Sequence, residues 1–297
     1  MLNRAPIFIN GFSYGGTDLI VNILASHPEV CLLSGETDEV FHSKSPELAG
    51  RIIRRAAAWP LEMLAGGELT RTTYLFDRRP LPRLALRYLD LIFYMDKLTS
   101  PKNNYKSEGV RYTLSEVRAS RFLAKSVNGT VLVNDIFASA YPDATFIAIV
   151  RDGLALCESY TRRGRSADKI GAMYDRVSRK MLEYSGTIES YHIVRFEDMV
   201  ADPVGFMRTV YAYAGLDPAA VTKVRLQSKP VTHSDGTRKY VFGSGADREV
   251  NWFPVEDLPR HIIGNANENQ RLRLSDKDRD AFLGVAGGAM KELGYEI

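Results

Sequence analysis

The residues Gly11-Phe12-Ser13-Tyr14-Gly15-Gly16-Thr17-Asp18 follow directly on a short apolar run, Ile7 to Asn10, of the kind that fills a buried strand. Thr17 opens a helical pattern that places Leu19, Ile20, Ile23 and Leu24 on one face, so the glycines sit at a strand-to-helix junction. Glycine lets backbone N–H groups turn inward, and a helix N-terminus adds about half a positive charge; together they can hold a phosphate or sulfate. A second polar group, Glu36, Thr37 and Asp38, closes the apolar run Val30 to Gly35. A carboxylate there, at the end of a parallel strand, lies on the ligand side of an open sheet, which makes Glu36 a candidate.

The spacing Gly11 to Gly16 is that of a Walker A loop, GxxxxGK[ST], but Thr17 replaces the lysine and Asp18 the magnesium-binding hydroxyl. Hydrolysis of ATP or GTP is disfavoured and no metal is implied. A tight turn of any α/β protein has the same look, so the loop needs support from elsewhere. With 297 residues and 45% hydrophobic content the chain can bury one large core, and a single domain is expected. A net charge of +3 and a pI near 8.7 suit a small anionic ligand and fall short of a nucleic-acid-coating surface. Cys31 and Cys157 lack any CxxC or histidine spacing, which indicates neither a disulfide framework nor zinc and fits a reducing compartment. No apolar run approaches the roughly 18 residues of a membrane span, and the first strand leaves no room for a signal peptide. The expectation is a soluble cytoplasmic protein with a small-molecule ligand, no nucleic-acid or membrane partner, and an oligomeric state that the composition leaves open.

Strands and helices alternate around this loop. Residues 43–121 have helical periodicity, many arginines, and breaks at Pro60, Gly66, Gly67, Pro80 and Pro101, and read as a helical insertion or lid. Its arginines read as a solvated face and its aromatics as a packed one. Strands follow at Phe122 to Val127, Thr145 to Val150 and Tyr191 to Phe196, the second closed by Arg151 and Asp152. Helices are expected over about 130–140, over the segment carrying Leu154, Ser159, Tyr160, Arg162 and Arg163, over about 167–185, and from Pro203 to a stop at Gly215. Residues 227–251 read as a mobile loop, and Ser275 with Asp278 caps the final helix. The pattern predicts an α/β fold with a mainly parallel sheet.

Four stretches in order, GFSYGGTDLIVNILASHPEV, PDATFIAIVRDGLALCESYTRR, VRFEDMVADPVGFMRTVYAYAGL and the closing KELGY, resemble sulfotransferases that use 3′-phosphoadenosine 5′-phosphosulfate (PAPS), bacterial forms distantly like tyrosylprotein sulfotransferases. The resemblance spares only the helical middle. It implies a P-loop-like three-layer sandwich with a central, mainly parallel sheet, a single domain over 1–297, and a lid over 43–121. It implies transfer of a sulfuryl group from PAPS to a hydroxyl or amine of a small molecule, leaving 3′-phosphoadenosine 5′-phosphate (PAP). By position, Gly11, Phe12, Ser13, Tyr14, Gly15, Gly16 and Thr17, with Asp18 beside them, match the 5′-phosphosulfate loop. Arg151 and Ser159 match the 3′-phosphate site, where the arginine at a strand end offers a planar fork to phosphate. Lys125 matches a lysine that stabilises the sulfuryl group. Glu36 matches the general base, with Glu39 and His42 as rivals. Arg248, with Asn251 and Trp252, matches a late loop that closes over the nucleotide. His192, His233 and His261 read as structural or solvated.

The departures fall in the loop. The family usually has Arg or Lys at Tyr14, Ser at Gly15, Thr at Asp18 and Pro at Gly153. Loss of one cation beside a developing anion costs on the order of a hundredfold in rate. Lys125, Arg248 or an arginine of the lid supplies that charge, or the Tyr14 hydroxyl donates instead. Two alternatives follow: a non-catalytic nucleotide- or anion-binding protein of the same fold, favoured by Tyr14, Gly15 and Asp18, and a P-loop kinase using ATP, disfavoured by Thr17 and Asp18.

Overall fold

The computed structural model describes residues 1–37, 52, 56–57, 59–61, 63–64, 80–227, 230–232, 238–240, 250–262 and 266–297. Five strands form one parallel sheet: β1 (Ile7–Gly11), β2 (Val30–Leu32), β5 (Arg121–Val127), β6 (Thr145–Val150) and β7 (Tyr191–Arg195), in the order β2-β5-β1-β6-β7. β1 is central and pairs with β5 on one side, Phe8 opposite Ala124, and with β6 on the other, Phe8 opposite Phe146.

Both faces of this sheet are covered, so its strands read as continuous apolar runs rather than alternations. Side chains still alternate by face. Phe8, Phe122, Ala124, Phe146 and Ala148 enter one buried cluster, while Ile7, Ile9, Leu123, Ile147 and Ile149 enter the other. The first face is covered by α2 (Arg83–Thr99), α4 (Asn134–Ala140), α6 (Ala167–Thr187) and α10 (Asp276–Glu292); Phe8 stacks on Phe137 at 4.9 Å and on Phe146 at 5.0 Å. The second face is covered by α1 (Thr17–Leu24) and α8 (Pro203–Tyr213), together with β8 (Lys223–Gln227), which pairs with β11 (Val250–Pro254). The result is the expected three-layer α/β sandwich.

Several local expectations are refined. The helix foreseen over about 130–140 begins as a 3-10 turn, Asn128–Val133, because Asn128 takes φ 52° and Thr130 Oγ1 bonds back to the Val127 backbone. The insertion contains an unforeseen hairpin, β3 (Tyr105–Ser107) with β4 (Val110–Arg111), before α3 (Leu114–Ala119). Its helix α2 is a core element, burying Ala85, Leu89 and Phe93, and it also buries Asp90 and Lys97. Asp90 accepts from Asn3 and from Tyr141, and Lys97 donates to the Arg118 and Ser120 carbonyls. Asn103, after α2, bonds both the N–H and the C=O of Leu32 and so ties the insertion to β2. Within the region read as a loop, β9 (Pro230–Thr232) pairs with β10 (Arg238–Tyr240) and β11 begins at Val250. The short helices α5 (Gly153–Thr161), α7 (Phe196–Ala201) and α9 (Ala266–Arg271) add to these.

Candidate functional site

β1 delivers the glycine loop to the C-terminal edge of the sheet, between the ends of β5 and β6, where the strand order diverges and open α/β sheets hold ligands. Close packing explains two glycines. A Cβ on Gly11 would come within 2.7 Å of Thr17 Cγ2, and one on Gly16, whose φ is 94°, within 2.6 Å of the Phe196 ring. Tyr14 also takes a left-handed conformation, φ 67°, at a cost of about 1 to 2 kcal/mol. Asn128 secures the loop: its Oδ1 accepts from Ser13 N–H at 3.1 Å and from Tyr160 Oη at 3.0 Å, and its Nδ2 donates to Ser13 Oγ at 2.9 Å. No side chain caps α1, so its first N–H groups and its dipole are left for an anion.

The tyrosine at the position of the expected cation does not leave that point without charge. The Arg163 guanidinium, just past α5, lies 4.2 Å from the centroid of the Tyr14 ring, and Tyr160 meets the same ring edge-on at 5.1 Å. Cation and ring attract through the ring quadrupole.

Lys125, on β5, is brought to the loop as expected, but between two carboxylates. Its Nζ lies 2.6 Å from Asp18 Oδ1 and 2.7 Å from Glu36 Oε1. Lys125 and Glu36 are therefore adjacent, and Asp18, which stands in the loop where a hydroxyl was expected, holds the same ammonium. Thr37 fixes the start of this segment by a 2.7 Å hydrogen bond between its Oγ1 and Ser126 Oγ.

Arg151, at the end of β6, and Ser159, on α5, are also brought together. Arg151 is 6% exposed. Its Nη1 donates to the Tyr14 carbonyl at 2.6 Å, its Nε to Asn267 Oδ1 at 2.7 Å, and its Nη2 to Gln270 Oε1, while its guanidinium lies 4.3 Å above the Phe196 ring. The other end of the Gln270 amide donates to Ser159 Oγ at 2.6 Å. One side-chain amide thus spans the two groups. Burial pushes the Arg151 guanidinium below its usual value, opposed by the nearby Glu197 and Asp152 carboxylates. Glu197 in turn accepts from Asn267 Nδ2 at 2.5 Å, from Asp152 N–H and from Tyr295 Oη.

Three cavities surround these groups. One of about 500 Å³ is lined by Ser13, Tyr14, Thr17, Asp18, Glu36, Lys125 and Arg225. A second, about 720 Å³, shares Lys102, Arg225 and Gln227 with it and opens beside the β3–β4 hairpin and β11. The third, about 700 Å³, lies at the opposite end of the sheet edge, against Asp152, Phe196, Glu197, Asn267, Arg271 and Tyr295.

Arg248 and the rival bases Glu39 and His42 lie outside the described residues, as does His233. His192 stacks on Tyr213 at 4.0 Å and His261 packs tilted against Phe253 at 3.8 Å, as packing histidines do. Sequence reasoning missed Asn128, Tyr160, Arg163, Glu197, Arg225, Asn267 and Gln270 as site residues. The amides bond residues more than a hundred positions away, and no local spacing marks them. Among the described residues no group of His, Cys, Asp and Glu is arranged to hold a metal ion, and no helix is long and apolar enough to cross a membrane.

Among curated proteins, none matches the chain. Solved structures do: the sulfotransferase domain of the Synechococcus PCC 7002 olefin synthase has a TM-score of 0.52 at 16% identity, over 99% of this chain and 96% of that one. The sulfotransferase domain from the curacin biosynthetic pathway has the same TM-score at 15% identity, over 99% of each chain. At such identity these likenesses show the fold. A family model described as "Sulfotransferase family" matches residues 6–220, most of the sequence, and the chain therefore belongs to the sulfotransferase family.

Proposed function

We propose that this protein transfers a sulfuryl group from PAPS to a hydroxyl or amine of a small molecule, releasing PAP. The observation that carries the proposal is the Gln270 amide bridging Arg151 and Ser159. Arg151 donates to this amide and Ser159 accepts from it; a phosphate in its place would accept from the guanidinium and from the Ser159 hydroxyl, and would add charge. Because Arg151 also holds the Tyr14 carbonyl, that position is continuous with the glycine loop. Gly11 to Thr17 and the N-terminus of α1 would hold the 5′-phosphosulfate, Arg151 and Ser159 the 3′-phosphate, and Arg248 would close over the nucleotide. The donor set fits the co-substrate without a metal ligand.

Lys125 would donate to an oxygen of the transferring group, and Arg163 would bring a second positive charge through the Tyr14 ring. Glu36 would take the acceptor proton as the acceptor oxygen or nitrogen forms its bond to sulfur and the bond from sulfur to the 5′-phosphate oxygen breaks. The chain would act as one domain, with the lid over residues 43–121 closing the acceptor side. A specific observation favours the second reading, nucleotide binding without turnover: Asp18 and Glu36 both occupy the Lys125 ammonium.

Calorimetric titration of the purified protein with PAP, beside AMP and ATP, tests the nucleotide. Micromolar affinity that depends on the 3′-phosphate is expected, weakened about a hundredfold in Arg151→Ala. Absence of PAP binding in the wild type would end both the transferase and the PAP-binding readings. Transfer from radiolabelled PAPS to a panel of hydroxyl and amine compounds then separates catalysis from binding alone.

A further inference from the structure

Among the described residues the buried charges have partners, with one exception. Arg151, Asp90, Lys97, Asp152 and Glu158 each make ion pairs or hydrogen bonds. Arg225, on β8, is 6% exposed, its Nε is buried without a hydrogen-bond partner, and among the described residues no carboxylate pairs with it. Its backbone is fixed, with Arg225 N–H donating to Ser26 Oγ at 2.8 Å and Trp252 opposite on β11. An uncompensated buried cation is strongly destabilising unless a ligand supplies the counter-charge. Burial pushes its pKa down, and the Tyr112 phenol is the one group opposing that.

The position of Arg225 says which ligand. Its side chain lines the 500 Å³ cavity that holds Lys125 and Glu36, and also the adjoining 720 Å³ cavity, so it stands at their junction. The groups that suit the 3′-phosphate, Arg151 and Ser159, follow β6 on the other side of β1. We propose that Arg225 anchors an oxyanion of the acceptor, so that this sulfotransferase takes molecules bearing both a nucleophilic hydroxyl or amine and a carboxylate or phosphate ester. The inference rests on the proposed function for the word acceptor, and on the unpaired guanidinium for the anion. A planar fork accepts a carboxylate or phosphate through two parallel hydrogen bonds, which fixes the reactive end of the molecule in the other half of the cavity.

The experiment compares the full-length wild type with Arg225→Met, an apolar side chain of similar length. Thermal unfolding is followed alone and with benzoate, phenyl phosphate or neutral benzamide, and PAP affinity is measured on both proteins. The ligand-free variant is expected to melt a few degrees higher than the wild type, because the buried charge is gone. Benzoate or phenyl phosphate should raise the wild-type melting temperature, benzamide should not, and the variant should bind the anions at least tenfold more weakly with PAP affinity unchanged. The stronger of the two anions identifies the acceptor group as carboxylate or phosphate ester. A lower melting temperature of the variant, equal anion effects in both proteins, or none in the wild type overturns the proposal. Loss of PAP binding in the variant alone also overturns it, by assigning Arg225 to the donor. Absence of PAP binding in both proteins instead removes the sulfotransferase function and leaves an anion site. Where transfer is measured, KM should rise for anionic acceptors only; an equal fall of kcat for charged and neutral acceptors places Arg225 on the sulfuryl group and sinks the assignment.

Discussion

Arg151 and Arg225 are both buried to the same 6% exposure, and they differ in their partners. Arg151 spends its donors on Tyr14, Asn267 and Gln270 and lies over Phe196, whereas Arg225 Nε has no partner. At one end of the site the chain satisfies its own buried cation, and at the other it leaves one with which no carboxylate among the described residues pairs. A buried charge already satisfied internally must exchange partners to bind a ligand; one left unsatisfied gains on binding what it lost on folding.

The largest expected effects come from removing each arginine in turn. Arg151→Met should weaken PAP binding about a hundredfold and lower the melting temperature, because the Tyr14 carbonyl and the Asn267 and Gln270 amides lose their charged partner. Arg225→Met should do neither. If both variants melt lower and both bind PAP normally, the contrast between the two arginines is not functional.

The next effect tests what α9 does. Its Asn267 and Gln270 occupy the Arg151 donors that would serve a 3′-phosphate, and its hold is reinforced by Asn267 to Glu197 and by the Arg271–Asp152 ion pair at 3.5 Å. The double variant Asn267→Ala, Gln270→Ala should lose about 1 to 3 kcal/mol of ligand-free stability, since Arg151 then has fewer partners, and should bind PAP about tenfold faster in stopped-flow mixing. Weaker PAP binding by this variant would mean that the two amides hold the nucleotide rather than give way to it.

The same contrast governs what could be read from the sequence. β1 and β6 are legible because a parallel strand covered on both faces is a nearly continuous apolar run, as IFING and TFIAIV are but for Asn10 and Thr145. The loop is legible because glycine is needed where Gly16 and Gly11 approach Phe196 and Thr17. Lys125 and Glu36 are singled out by resemblance, but the pairing of Lys125 with both Glu36 and Asp18 is not foreseen, since three distant residues meet only at the sheet edge. Arg225 was invisible for another reason. In KVRLQ, Val224 and Leu226 enter the core, so period-two alternation assigns Arg225 to a solvated face; in the fold Arg225 is nonetheless buried, close to the Tyr112 phenol. Likewise α2 reads as part of a lid because residues 43–121 as a whole carry many arginines and Pro/Gly breaks, although its Leu89 and Phe93 pack on the sheet.

A smaller effect is expected at the lysine between the two halves. Asp18→Asn removes one of the two carboxylates that hold Lys125, and takes a negative charge away from the loop that would carry the phosphosulfate. PAPS affinity should tighten about fivefold, the scale of one partly exposed charge interaction, and transfer should accelerate by a similar factor. Tighter binding with no detectable transfer in either protein would favour the non-catalytic reading.

The smallest effect concerns acid, and it should fall on the Arg225 half. His27 follows Ser26, which holds the Arg225 backbone, and packs edge-on against Tyr211 at 5.7 Å. Its Nδ1 accepts from Glu29 N–H at 3.2 Å, so Nε2 carries the proton and faces the Asp217 carbonyl at 3.2 Å. Burial holds its pKa below the usual 6.5, with Glu29 and Asp217 acting in the opposite sense. The stability contributed by this neutral ring is present in full above about pH 6.5 and is lost as pH falls from there through the folded value, because the unfolded chain takes the proton first. The ligand-free melting temperature should therefore drop by about 1 to 3 °C between pH 7 and pH 5 through this group, and His27→Gln, which keeps a hydrogen-bonding side chain without titrating, should flatten that slope. A slope unchanged in the variant would move the acid sensitivity to another group and leave both arginines on equally acid-resistant supports.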